Sequence, residues 1–258
     1  GVSMNNELSS QYSVRGGNYD ENCVYVNSIE IYRPLLIRSG EQEGLSFVNP
    51  DMVESVAFSS GGFGVQYGDK MASVLDIRYK QPTKFEGSVS LSLLGATAYL
   101  GTSSNKFSQM HGLRYKAASY MLGALETDGE YNPNFIDYQT YITYQFSSKW
   151  QLNFLGNVSR NSYEFIPKSR ETSFGTMTDV KSFTVYFDGR EEDLFMTYFG
   201  SLALKYQPTK KTELELLSSA CHTAEDVSYD ITGSYWLSES GGESSFNAAS
   251  GVGTYHEH

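Results

Sequence analysis

Basic residues are in deficit: 19 Lys and Arg stand against 30 Asp and Glu, a formal net charge of -11 over 258 residues. A nucleic-acid surface needs a basic face, so nucleic acid is excluded as a general partner. Cysteine is nearly absent. Cys23 and Cys221 lie far apart and in no metal-ligand spacing. They read as free thiols, with a structural disulfide as the alternative. Proline numbers 6 and tryptophan 2. No run of about 18 apolar residues occurs, which excludes a transmembrane helix. The mean hydropathy of -0.38 does not exclude a membrane β-barrel, because half of each barrel strand faces a polar lumen. The opening GVSMNNELSS shows neither the basic nor the apolar segment of a secretory signal.

Tyrosine, phenylalanine and glycine are plentiful, at 20, 15 and 24. With serine and threonine these are the residues of exposed strands and their turns. The rhythm changes near Gln81-Pro82. Before it, short runs such as QYSVRG, CVYVNSIEIY, VESVAFS and ASVLDIRY are punctuated by Gly, Asn and Pro. They predict a small mixed α+β domain over residues 1–80, with a helical turn after Asn49-Pro50, where Pro starts a helix and Asp51 suits its first turn.

From residue 81 to 258 the runs lengthen and alternate strictly. In IDYQTYITYQF, Ile136, Tyr138, Thr140, Ile142, Tyr144 and Phe146 share one face, and Asp137, Gln139, Tyr141, Thr143 and Gln145 the other. WQLNFLGNV and VSYDITGSYW repeat the pattern. Strands are expected near 85–93, 96–102, 107–124, 136–146, 150–163, 183–206 (interrupted), 211–236 and from 251. Many run to about ten residues or more, the length of a tilted membrane crossing, about 9–11. Short links TSSNK, SSK and QPTKK alternate with long loops at 126–135, 166–180 and 237–250, with a tight hairpin at Leu94-Gly95. Short turns on one rim and long loops on the other is the outer-membrane barrel pattern. Aromatic residues near strand ends, including Tyr99, Phe107, Trp150 and Tyr206, suit interface girdles. A soluble β-sandwich also alternates, with shorter strands and evenly spaced turns.

Two segments carry a resemblance: VRGGNYDENCVYVNSIEIYRP (Val14–Pro34) and NPDMVESVAFSSGGFGVQYGDKMASVLDIRYK (Asn49–Lys80). They resemble the plug domain of TonB-dependent outer-membrane receptors, in the form common in Bacteroidetes. GLRYKAASYM and the run from GEYNPNF to SYEFIP look like early strands of that family's barrel. Asn27-Ser28 stands where the family usually has Asp-Gly. The resemblance implies an all-β chain: the C-terminal part of a plug, then antiparallel transmembrane strands of a partial barrel. A 22-stranded barrel needs more than roughly 200 residues of strand, more than residues 81–258 supply. The implied function is energised uptake of a scarce nutrient by a protein of the bacterial outer membrane, without enzymatic activity or cofactor. The implied partners are outer-membrane lipid, the nutrient, and a TonB-type energy-transducing complex that touches an N-terminal box absent here. A surface lipoprotein is a further partner the family allows and no motif here specifies.

The same resemblance points to residues. Arg15, Gly16 and Gly17 form the Arg-Gly-Gly motif. Arg15, Glu54 and Arg78, with Asp76 nearby, are the charges expected to face oppositely charged groups of the barrel. Gly62, Phe63, Gly64, Tyr67 and Gly68 form the plug apex and its turn, with Gly61 beside them. The glycines would permit positive φ and close approach. Phe63 and Tyr67 would anchor the turn by burying aromatic area and are candidate ligand contacts. Wet ion pairs, rather than a dry apolar interface, are expected between plug and wall.

Other motifs fail on spacing. GGFGVQYGDK has Tyr67 where the dinucleotide pattern needs Gly, and it lacks the Gly-Lys-Ser/Thr of a phosphate loop. His256 and His258 share a strand face without a third ligand. Glu191-Glu192-Asp193 reads as a solvated rim rather than a catalytic pair. Asn157-Val158-Ser159 matches a glycosylation acceptor inside an expected strand. The competing functional class is a surface-exposed binding or adhesion module without transport. The outward strand faces discriminate: a barrel turns them to lipid, and a sandwich buries them.

Overall fold

The structure is a computed structural model. It describes residues 2–4, 12–16, 21–32, 46–68, 72–117, 129–176, 179–240 and 252–257. Gly17 lies outside the described residues. The described chain is almost entirely β, and its helical content includes the three-residue 3-10 turn Pro50–Met52.

The N-terminal strands are short: β1 (Val2–Met4), β2 (Tyr12–Val14), β3 (Asn22–Val26), β4 (Ile29–Glu30), β5 (Val53–Ser59) and β6 (Ser73–Tyr79). β1 and β2 pair as a two-stranded ribbon. The others form a four-stranded sheet in the order β4-β3-β6-β5. β3 runs parallel to β6, while β5 is antiparallel to it and forms an edge. The β5–β6 ladder shifts register between Val53 and Ser55, so Glu54 is the extra residue of a β-bulge.

The second sheet holds β7 (Glu86–Ser92), β8 (Gly95–Ser103), β9 (Phe107–Ala117), β10 (Gly129–Tyr131), β11 (Asn134–Ser147), β12 (Trp150–Pro167), β13 (Arg170–Thr176), β14 (Asp179–Thr209), β15 (Thr212–Ser240) and β16 (Val252–Glu257). Its order is β16-β15-β14-β12-β11-β9-β8-β7, with β10 on β12 and β13 on β14. Among the described residues it does not close on itself.

The expected strands form within a few residues, and positions 118–124 of the one expected at 107–124 lie outside the described residues. Three expectations change. The loop expected at 126–135 holds β10, paired with β12, and the start of β11. β14 is continuous through 31 residues, without interruption, about three times what a tilted crossing needs. The expected loop at 166–180 is largely strand, because β13 pairs back on β14 from Arg170↔Val185 to Thr176↔Asp179. Alternating Glu, Ser and Phe in RETSFGT let it extend the ladder.

The chain forms two compact units. One comprises Gly1–Lys116, Phe135–Asn161 and Phe195–Ala224, and the other Ala117–Asn134, Ser162–Leu194 and Glu225–His258. The first contains the N-terminal strands and the short links at 104–106, 148–149 and 210–211. The second contains the β10–β12 and β13–β14 ladders, with Arg190 paired to Glu192 at 2.7 Å and to Glu164 at 3.6 Å.

In the first unit, the two faces of the large sheet invert the soluble pattern. Leu100, Leu113, Ile136, Tyr138, Val158 and Leu202 are exposed. Arg114, Asp137, Gln139, Asn153, Asn157 and Ser201 are buried on the opposite face. A β-sandwich would bury the apolar face and solvate the polar one. A wall with lipid outside and a filled polar lumen does the reverse.

The core lies between the N-terminal sheet and this inward face. Val24, Val26, Ile29, Ile31, Phe47, Met52, Ile77 and Tyr79 pack with Tyr99, Met110, Tyr141 and Leu155 of the wall in one buried cluster. The expectation of a wet interface held by ion pairs is therefore corrected. Apolar side chains and a dry polar network share the seam.

Candidate functional site

Arg114 on β9 and Asp137 on β11 form a bidentate ion pair, Nε to Oδ1 at 2.7 Å and Nη2 to Oδ2 at 2.8 Å. Neighbouring strands present them on one face, and their planar groups match fork to fork. Taking both charges out of water is costly unless the remaining donors and acceptors are satisfied. They are largely satisfied here. Asn157 donates to Asp137 Oδ2 at 3.3 Å. Arg114 donates to the backbone carbonyls of Val48 and Ser46, each at 2.8 Å.

Gln139 completes the set. Its Nε2 donates to the Phe47 carbonyl at 2.8 Å, and its Oε1 accepts from the Tyr79 hydroxyl at 2.6 Å. Three successive carbonyls, Ser46 to Val48, are thus held by side chains of the wall. Asn49 shapes the segment, accepting from the Asp51 N–H at 3.1 Å to cap the 3-10 turn. Gly112, two residues before Arg114, lets the segment come close: a Cβ there would collide with the Asn49 amide and the Met52 sulfur. Burial pushes the Tyr79 phenol well up from its ordinary ionisation range, and Asn49 and Arg114 offset this only in part.

Asn27 and Ser28 form the two-residue turn between β3 and β4. Both are left-handed, at φ 50° and 69°. This is the type I′ geometry that suits a two-residue hairpin and for which Asp-Gly or Asn-Gly is favoured. Asn27 and Ser28 adopt the same form and add side-chain bonds. Asn27 Oδ1 accepts from the Tyr79 N–H at 3.0 Å, and Ser28 Oγ accepts from Arg78 at 3.0 Å.

The glycine bend supplies positive φ at Gly61 and Gly62 (95° and 66°) but not at Gly64 or Gly68. Phe63 and Tyr67 anchor it, packing on Cys23, Tyr25 and Val74. The Tyr67 and Tyr25 rings meet edge-on at 5.0 Å, and the Tyr67 hydroxyl donates to Asp76 Oδ2 at 2.9 Å. Both anchoring rings are half-buried, and the fully exposed apolar side chain of the bend is Val65.

Arg78 pairs with Asp76 on its own strand at 3.3 Å. Arg15 is exposed and left-handed at φ 53°, followed by Gly16 at 79°, and its guanidinium lies beside the Gly61 bend. Glu54 projects from the bulge. Among the described residues, none of Arg15, Glu54 and Arg78 forms an ion pair with the large sheet. Lys80 of the plug lies over the Tyr99 ring of the wall at 4.9 Å, and Arg114, on the wall, binds plug main chain. Its signal in the sequence was indirect: a small residue and a cation two apart on an inward face.

Neither cysteine is in a disulfide. Among the described residues no three His, Cys, Asp or Glu side chains gather as a metal site. The side chains of His256 and His258 lie outside the description.

Residues 1–74 match the family model of the TonB-dependent Receptor Plug Domain. No curated protein matches the chain. Among solved structures, a mutant of the ferric enterobactin receptor PfeA from Pseudomonas aeruginosa is similar at 12% identity over 88% of this chain and 42% of that one, TM-score 0.45. The siderophore receptor PirA from Pseudomonas aeruginosa is similar at 16% over 89% and 48%, TM-score 0.43. The outer membrane transporter YddB from Escherichia coli is similar at 11% over 88% and 48%, TM-score 0.39. The chain spans less than half the length of each. The plug match, with the lipid-type outer face of the sheet, places the protein in the bacterial outer membrane.

Proposed function

We propose that the protein acts as a TonB-dependent outer-membrane receptor of the Bacteroidetes type, importing a scarce nutrient. Residues 1–80 serve as the plug and residues 81–258 as strands of a larger barrel wall. Import is energised by an inner-membrane complex engaging an N-terminal box. The observation that carries this reading is the inverted large sheet: its apolar face is exposed, and its polar face is buried against the small plug-type domain. A solute crossing such a wall must pass the plug, so the chain's own residues hold, seat and release that domain. The short links face the periplasm and the long connections the outside.

An antibody to residues 1–80 tests the proposal on fractionated source cells. The expected result is a heat-modifiable band in the outer-membrane fraction, well above the 28.8 kDa of this chain. A soluble band near that mass would overturn it. Arg15→Ala and Glu54→Ala in the full-length protein are expected to lower uptake while leaving surface binding of nutrient near normal. Equal loss of both would count against a plug-release role.

A further inference from the structure

Near the start of β12 and the end of β14, the N-terminal sheet and the large sheet enclose a polar recess of about 350 Å³. That volume falls in the range of small-molecule sites, roughly 300–1,000 Å³. Its lining includes Glu54 and Arg78 from the N-terminal sheet and Gln151, Asn153 and Lys205 from the large one. All belong to one compact unit. Tyr79 and Tyr141, both buried, also line it. Their rings meet edge-on at 6.3 Å and the Tyr79 hydroxyl is tied to Gln139, so the recess is held in shape before any ligand enters.

The charges around it are unevenly matched. Arg78 is paired with Asp76 at 3.3 Å. Lys205 is shared by two carboxylates, Glu215 at 3.1 Å and Glu213 at 3.8 Å. Glu54, the extra residue of the bulge between β5 and β6, is exposed. Among the described residues it has neither an ion pair nor a side-chain hydrogen bond. The lining charges and their partners therefore set four carboxylates against two cations. Such an excess draws positive charge into a cleft. Glu54 is the carboxylate that no cation of the protein answers.

The large sheet supplies amides. Gln151 Nε2 donates to Asn153 Oδ1 at 2.8 Å. Among the described residues, Gln151 Oε1 and Asn153 Nδ2 have no further bond. Asn153 is nine-tenths buried, at 6% exposure, so its remaining donor is costly to leave unmade. An amide acceptor beside an amide donor suits a hydroxyl group, which both donates and accepts.

We propose that this recess binds a small hydroxylated amine, of the amino-sugar or amino-alcohol class. Its ammonium pairs with Glu54, and its hydroxyls bond Gln151 and Asn153. A neutral sugar would satisfy the amides and leave Glu54 unanswered. A bare cation would do the reverse, and a carboxylate-bearing solute would meet the negative excess. The charge-assisted bond to Glu54 is the strongest of these contacts, so charge dominates the choice of ligand. Binding here goes beyond the uptake reading and does not require it.

The test uses purified full-length protein in detergent and amine-free buffer, with glucosamine as the probe. Glucose and N-acetylglucosamine serve as uncharged comparators, and binding is read by titration calorimetry. Glucosamine is expected to bind saturably and at least tenfold more tightly than either comparator. Glu54→Gln keeps the side-chain shape, removes the charge, and is expected to erase that preference. The heat-modifiable band on semi-native gels checks that the variant is assembled. Absence of saturable binding, equal binding of all three sugars, or a preference that persists in Glu54→Gln each overturns the proposal. Should Glu54→Gln fail to assemble, Gln151→Ala takes its place, with a several-fold weakening expected. Unchanged glucosamine binding by that variant would overturn the site.

Discussion

Arg114 and Asp137 meet at 2.7 Å with their side chains 6% and 0% exposed, on neighbouring wall strands, and the same guanidinium grips two carbonyls of the plug. At this point the wall grips the plug's main chain, and Gln139 beside it also accepts from the Tyr79 hydroxyl. A carbonyl is present whatever residue stands at positions 46 and 48, so this grip specifies backbone position and tolerates sequence change in the gripped segment.

Removing the arginine alone strands a buried carboxylate. Arg114→Met is expected to cost about 3–5 kcal/mol. The double variant Arg114→Met with Asp137→Leu removes both charges and is expected to recover part of that loss. The temperature at which the folded band converts on semi-native gels measures both. Equal shifts for single and double variants would show that the pair is not what the single change breaks.

Alkaline pH should loosen the plug. Burial raises the Tyr79 ionisation, and burial, then the charges of Glu30 and Cys23, push Tyr25 up to about 12. An unfolded tyrosine ionises near ~10. Between that value and the folded one, the folded state holds protons the unfolded state has lost. Stability is therefore fully present below about pH 10 and falls as pH rises above it. Tyr25→Phe and Tyr79→Phe should flatten the fall, as read by protease protection of residues 1–80 against pH.

At the β3–β4 turn, Ser28 holds φ 69° without being glycine. A left-handed L-residue costs roughly 1–2 kcal/mol, and its exposed bond to Arg78 returns less. Ser28→Gly should stabilise the plug by up to about 1 kcal/mol in denaturant unfolding. Asn27→Ala keeps the strain and loses the bond to the Tyr79 N–H, so it should destabilise by about 1–3 kcal/mol.

A charge on the outward face distinguishes lipid from water. Leu113→Arg near the middle of a bilayer should cost about 2–4 kcal/mol and reduce the assembled, heat-modifiable form. On a water-exposed surface the same change would be nearly neutral. Normal assembly and stability of the variant would argue against a lipid-facing wall.

Period-two alternation, strand length and link length are local quantities, and they were enough to place the long strands of the large sheet, though not β10 and β13, which fall in expected loops. Pro50 after Asn49 announced its 3-10 turn because capping needs only neighbouring residues. The continuity of β14 was not legible, because Asp188, Gly189 and Arg190 look like a break and become strand beside the backbone of Asp230 on β15. Arg114 and Asp137 could be assigned to polar positions on strands. That they would meet, and reach Ser46 and Val48 some 66–68 residues away, depended on how the plug is set against the wall. Alternation by itself determined a wall with an apolar and a polar side. Tertiary structure decided which charges are buried, which pair within one layer, and which stay unpaired. Those outcomes depend on distances across the core, which no spacing along the chain encodes.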